Sequence, residues 1–90
     1  MKKTKQEHQK SLITRLRRVE GQIRGIQGMI EGDSDCETIA QQLAAARKAL
    51  DRAFYEMVAC SLEQHLDAAR NVDAARAAAT QMTQVLAKYG

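Results

Sequence analysis

The sequence predicts an all-α fold, a three-helix protomer whose two long helices form an antiparallel hairpin that pairs with a second copy as a four-helix-bundle dimer. Three observations predict it. The chain has no Pro and only 3% aromatic residues, while Ala, Gln, Leu, Arg and Glu are abundant; such residues form helices and give strands little support. Apolar residues recur at alternating spacings of four and three over long stretches, the pattern of helix seams. Turn chemistry interrupts that pattern at Gly32-Asp33-Ser34-Asp35, and Leu66 to Arg70 makes a weaker boundary before a cap at Asn71.

Helix 1 is predicted from about Lys5 to Glu31, with Leu12, Leu16, Val19, Ile23, Ile26 and Ile30 as a heptad seam. Gly21, Gly25 and Gly28 are costly inside a helix and suggest either a close approach by another backbone or local flexibility. Gly32 stands where the helix should stop. Ser34 or Asp35 caps the next helix, and Glu37, three residues after Ser34, suggests a capping box. Helix 2 is predicted from about Asp35 to His65, with two stripes of heptad spacing: Cys36, Leu43, Leu50, Met57 and Ile39, Ala46, Ala53, Cys60. At helical rise it is about 45 Å long. A hairpin of two such helices exposes a long seam, which a second copy would cover. Helix 3 is predicted from about Val72 to Tyr89 behind an Asn71 cap, with Val72, Ala75, Ala79, Met82 and Leu86 on one face.

A 90-residue chain makes one small domain, for which oligomerisation is the usual source of added stability. Two cysteines make no disulfide scaffold, no signal peptide is recognisable, and no apolar run is long enough to span a bilayer. These features predict a cytoplasmic protein with reduced thiols and no membrane partner. Nothing resembles a phosphate-binding loop or a nucleophile–base pair, so an enzyme is not expected.

Charge is more informative in its distribution than in its net value of +3. Lys2, Lys3, Lys5, Lys10, Arg15, Arg17, Arg18 and Arg24 crowd the stretch from Lys2 to Arg24 against only Glu7 and Glu20, and helix 2 adds Arg47, Lys48 and Arg52. Arg15 and Arg18, three apart, share a face away from Leu16 and Val19. A rigid basic helix surface suits DNA phosphates, with no helix-turn-helix or zinc finger in sight. The plainer reading is a solvated face on a structural or partner-binding bundle.

Cys36 opens helix 2, whose positive end favours the reactive thiolate form; alternatively it fills the seam. Cys60 lies on the Ala46/Ala53 stripe as a core residue or a second thiol. His65 sits at the far end of helix 2, some 40 Å from Cys36 within one chain. An antiparallel second copy would bring His65 and Cys60 near Cys36. That cluster could hold a soft or borderline transition metal or form a thiol switch. His8, in a charged stretch, reads as solvated, or as an additional metal ligand carried on a flexible arm.

These residues together resemble the CsoR/RcnR/FrmR family of bacterial repressors over nearly the whole chain. The resemblance is carried by Arg15-Leu-Arg-Arg-Val-Glu-Gly-Gln-Ile-Arg-Gly-Ile26, by Glu31-Gly-Asp-Ser-Asp-Cys36, and by Ile39-Ala-Gln-Gln-Leu-Ala-Ala45 with Arg52. It implies a dimer-of-dimers tetramer that binds operator DNA when free of effector. Residues 1–90 would be one domain for both DNA binding and sensing. It implies DNA contacts from Arg15, Arg18, Gln22 and Arg52, which the basic residues Lys10, Arg24 and Arg47 would extend. It also implies a sensing site that begins at Cys36. The family's copper sensors have His and Cys where this chain has Ser61 and His65, and its nickel and cobalt sensors have His at both. Formaldehyde sensors use a free N-terminal Pro, which Met1-Lys2 lacks. Persulfide sensors lack the His at position 61, as here, but carry their second Cys at position 65. Cys60 is five residues away, a rotation of about 140° on a helix. The loss of a metal ligand at Ser61 and the presence of a second thiol favour reactive sulfur or another thiol-directed electrophile as effector. The alternative is a metal ion (nickel, cobalt, copper or zinc) at Cys36 and His65, completed by Cys60 or His8. No cofactor is otherwise expected.

Overall fold

A computed structural model describes residues 3–90; Met1 and Lys2, read above as part of the basic run and as lacking an N-terminal Pro, lie outside the described residues. Three helices follow one another: α1 (Lys5–Glu31), α2 (Cys36–Ala68) and α3 (Val72–Tyr89). There is no strand among the described residues. α1 and α3 both pack on α2 and not on each other. The result is an elongated protomer of 58 × 26 × 17 Å.

Local chemistry sets each helix end. α1 begins in a capping box that the sequence reading missed: the Glu7 N–H donates to Thr4 Oγ1 (3.1 Å), and the Thr4 N–H donates to Glu7 Oε1 (3.2 Å). It ends in a Schellman motif, with the Ser34 N–H on the Met29 carbonyl (2.9 Å) and the Asp33 N–H on the Ile30 carbonyl (3.3 Å). The left-handed residue this motif needs is Asp33 (φ 59°), not Gly32. α2 is capped by Asp35, whose carboxylate accepts from the Thr38 N–H (3.1 Å) and hydroxyl (2.7 Å). These bonds hold the Asp35 carboxyl below the usual value. With the cap at Asp35 the third helical residue is Thr38, so the expected Ser34/Glu37 box does not form. α2 continues to Ala68, past the expected end at His65, because Leu66-Asp67-Ala68 contains neither Gly nor Pro to stop it. Asn71 caps α3 as expected, its side chain accepting from the Ala74 N–H at 2.8 Å.

Packing divides each seam in two. Val19 and Ile26 of α1 are buried, as are Ala46, Ala53 and Cys60 of α2. Leu16, Ile23 and Ile30 remain exposed on α1, and Leu43 (52%), Leu50 (46%) and Met57 (57%) on α2. A methyl group built on Gly21, Gly25 or Gly28 would meet nothing within 4 Å. Within one chain, therefore, these glycines admit no neighbouring backbone. α3 rests on α2 through Ala78 and Met82. The expected face is rotated, since Val72 is 73% exposed.

Candidate functional site

The α1–α2 hairpin is antiparallel, and its open end holds a buried polar cluster. His8, read from sequence as solvated, is only 6% exposed. Its Nδ1 faces Glu56 Oε2 (3.3 Å) and its Nε2 faces Glu63 Oε2 (3.0 Å). Ionised carboxylates only accept, so both bonds form together only when the ring is protonated on both nitrogens. The bond to Glu63 raises the His8 pKa above its usual value; burial opposes this, and Glu56 reinforces it. Glu56 also accepts from Ser11 Oγ (2.8 Å) and Arg15 Nε (3.0 Å), and Lys3 Nζ lies 3.4 Å away. Burial pushes the Glu56 carboxyl up. The hydrogen bonds from Ser11, His8 and Arg15, with the charge of Lys3, outweigh it and hold the pKa at about 2. The solvated reading of His8 failed because its partners lie 48 and 55 residues away, on α2.

Above this cluster α1 presents a shallow groove of about 330 Å³, lined by Lys10, Ser11, Thr14, Arg15 and Arg18. Three cations and two hydroxyls with no carboxylate in the lining suit a phosphate. The same antiparallel progression, His8 to Glu63 and Arg15 to Glu56, brings Arg18 level with Arg52 one turn further on. Arg24 and Arg47 are exposed farther toward the α1–α2 turn. Gln22 is half-buried between the buried positions Val19 and Ile26, and its side-chain oxygen faces inward with no partner among the described residues.

The thiols lie apart. Cys36 is exposed at the start of α2, by the turn, whereas Cys60 is buried against α1. Cys60 Sγ accepts from Gln64 Nε2 at 3.1 Å and shares a cavity with His8 and Glu63. Cys60 therefore turns away from the exposed stripe that Cys36 begins. His65 is exposed and its Nδ1 donates to the Ser61 carbonyl at 2.7 Å. In a neutral ring that bond puts the proton on Nδ1 and leaves Nε2 as the acceptor, the arrangement usual for metal-ligating histidines. No group of three or more His, Cys, Asp or Glu side chains among the described residues could hold a metal within one chain.

Residues 8–88 match the model of a family described as metal-sensitive transcriptional repressor. The chain belongs to this family. Its members are transcriptional repressors, not enzymes, which makes operator DNA the partner and a metal ion or small molecule the effector class. The repressor is 47% identical over 47 residues to the copper-sensing transcriptional repressor CsoR of Bacillus subtilis (strain 168), covering 51% of this chain and 46% of that protein. It is 33% identical over 61 residues to a Serratia marcescens protein known as "uncharacterized protein in bioA 5′ region", covering 68% and 67% of the two. Among solved structures it resembles a single-residue variant of the formaldehyde-responsive regulator FrmR from Salmonella enterica serovar Typhimurium. The TM-score is 0.74 at 30% identity, over 93% of this chain and 96% of that one. No helix among the described residues is long and apolar enough to cross a membrane.

Sequence reading located the cations of the groove but missed the acids beneath them. Glu56 and Glu63, seven apart on α2, flank the Ala53/Cys60 stripe that faces α1. Acids beside a core-facing stripe, opposite a basic helix, were the available signal.

Proposed function

We propose that this repressor binds operator DNA through the α1 groove and is released by an effector acting at Cys36 in the cytoplasm. The observation that carries the first half is the groove lined by Lys10, Arg15 and Arg18, with no carboxylate in its lining. Arg24, Arg47, Arg52 and the half-buried Gln22 would extend the contact. The exposed stripes Leu16/Ile23/Ile30 and Leu43/Leu50/Met57 support burial against a second copy, giving a dimer and, through α3, a tetramer. Head-to-tail pairing of two α2 helices brings Cys36 of one copy to the half of the other that carries Ser61 and His65.

The effector is a thiol-directed electrophile, with reactive sulfur favoured. Exposure of Cys36 supports it. The Cys36 thiolate attacks a sulfane sulfur of a polysulfide, forms a new S–S bond and expels the shorter polysulfide. Burial of Cys60 against α1 leaves Cys36 to act alone. A second reading, a transition metal held between Cys36 and His65, is favoured by the exposure of His65 and the bond of its Nδ1 to the Ser61 carbonyl. In that reading the buried Cys60 and the ion-paired His8 supply no ligand.

Fluorescence anisotropy with the repressor's own promoter DNA tests the DNA half. Arg15→Ala or Arg18→Ala should weaken binding about tenfold at unchanged helicity, and unchanged affinity in both would remove the groove from the mechanism. Titrating reduced protein with polysulfide and with nickel, cobalt, copper or zinc separates the effectors. Tight stoichiometric metal binding that disappears in Cys36→Ala and His65→Ala would decide for the metal. In cells Cys36→Ser should repress permanently; normal induction would exclude Cys36.

A further inference from the structure

We infer that Glu56 is a positioning residue for DNA recognition, its carboxylate fixing the Arg15 guanidinium and the Ser11 hydroxyl from beneath the groove. The inference rests on the reading that the groove meets operator DNA. Ser11 and Arg15 both line the groove, and both donate to the same oxygen, Glu56 Oε1, at 2.8 and 3.0 Å. The other oxygen is held by His8 at 3.3 Å, and His8 is itself held by Glu63 at 3.0 Å. The Glu56 side chain is only 9% exposed and has little freedom to leave, whereas that of Arg15 is 40% exposed.

The contact to Arg15 runs through Nε. It therefore orders the side chain while leaving the terminal guanidinium nitrogens free to donate to a phosphate or a base edge. An unanchored arginine would have to be ordered when DNA binds, at a cost in side-chain entropy. The carboxylate also partly neutralises Arg15 and so weakens attraction to DNA of any sequence. Glu56 thus raises affinity for the correct DNA and lowers it for the rest. A merely structural role would move both in the same direction.

The test uses the full-length protein and anisotropy with two labelled duplexes of equal length, one from the repressor's own promoter and one scrambled. Glu56→Gln should lower the promoter-to-scrambled affinity ratio about tenfold, with scrambled binding unchanged or tighter. Arg15→Lys keeps the charge but loses the Nε anchor, and should lower the ratio similarly. Glu56→Gln combined with Arg15→Ala should lower it no further than Arg15→Ala alone. An unchanged ratio in Glu56→Gln, or an equal fall with and without Arg15, overturns the role of Glu56. If circular dichroism shows Glu56→Gln unfolded, Arg15→Lys decides, and a wild-type ratio there overturns the inference. A wild-type protein with no preference for promoter DNA overturns the groove reading and this inference together. Wild-type preference with intact ratios in both variants overturns this inference alone.

Discussion

The two ends of the α1–α2 hairpin are built differently. At the open end His8, Ser11, Arg15, Glu56 and Glu63 satisfy one another within a single chain, and Cys60 is sealed beside them. At the turn end Cys36 is exposed, and Ile30 and Leu43 stand more than half exposed nearby. The open end is complete by itself, with charges paired in a place where an unpaired charge would be costly. The turn end carries apolar surface that only another molecule can cover. The residues that hold Arg15 thus belong to one chain, while the sensing site proposed at Cys36 would need two.

Breaking the open end should have the largest effect. Glu56→Ala removes the acid that His8 and Arg15 share and should cost roughly 3 kcal/mol, read by chemical denaturation. The loss should depend on pH. The folded pKa of Glu56 is lowered to about 2 from 4.5, so its stabilisation is present above 4.5 and fades as pH falls toward 2. The folded pKa of His8 is raised above 6.5, so its stabilisation is full below 6.5 and fades as pH rises through the raised value. The difference between wild type and Glu56→Ala should therefore be widest between about pH 4.5 and 6.5. A difference that stays flat from pH 2 to well above 6.5 would mean that the pairing contributes nothing.

Breaking the other end should leave each chain folded and separate the copies. Leu50→Asp puts a charge into the exposed stripe of α2 and should weaken self-association by about 100-fold in sedimentation equilibrium, with helicity retained. Unaltered association would place the interface elsewhere. Smaller effects sharpen the contrast. Gly25→Ala should stabilise by about 0.5–1 kcal/mol if its surroundings stay open, and destabilisation would reveal a second copy's backbone against it. Asp33→Gly, at the left-handed position of the turn, should raise the melting point slightly, by about 0.5 kcal/mol of stability. Destabilisation would show that the Asp33 side chain contributes to the turn.

The sequence alone determined the helices, their order and most of their ends, because 3.6-residue periodicity and capping chemistry are local. It also carried the family motif from Arg15 to Ile26 and the cationic residues of the groove. Tertiary structure decided which half of each seam is buried. Leu12/Val19/Ile26 and Leu16/Ile23/Ile30 are adjacent stripes, and only the rotation of α1 against α2 selects between them. It likewise decided that His8 and Cys60 face inward and that Glu56 lies under Arg15. Such burial depends on partners brought from the other helix, and no local pattern records which residues will meet there.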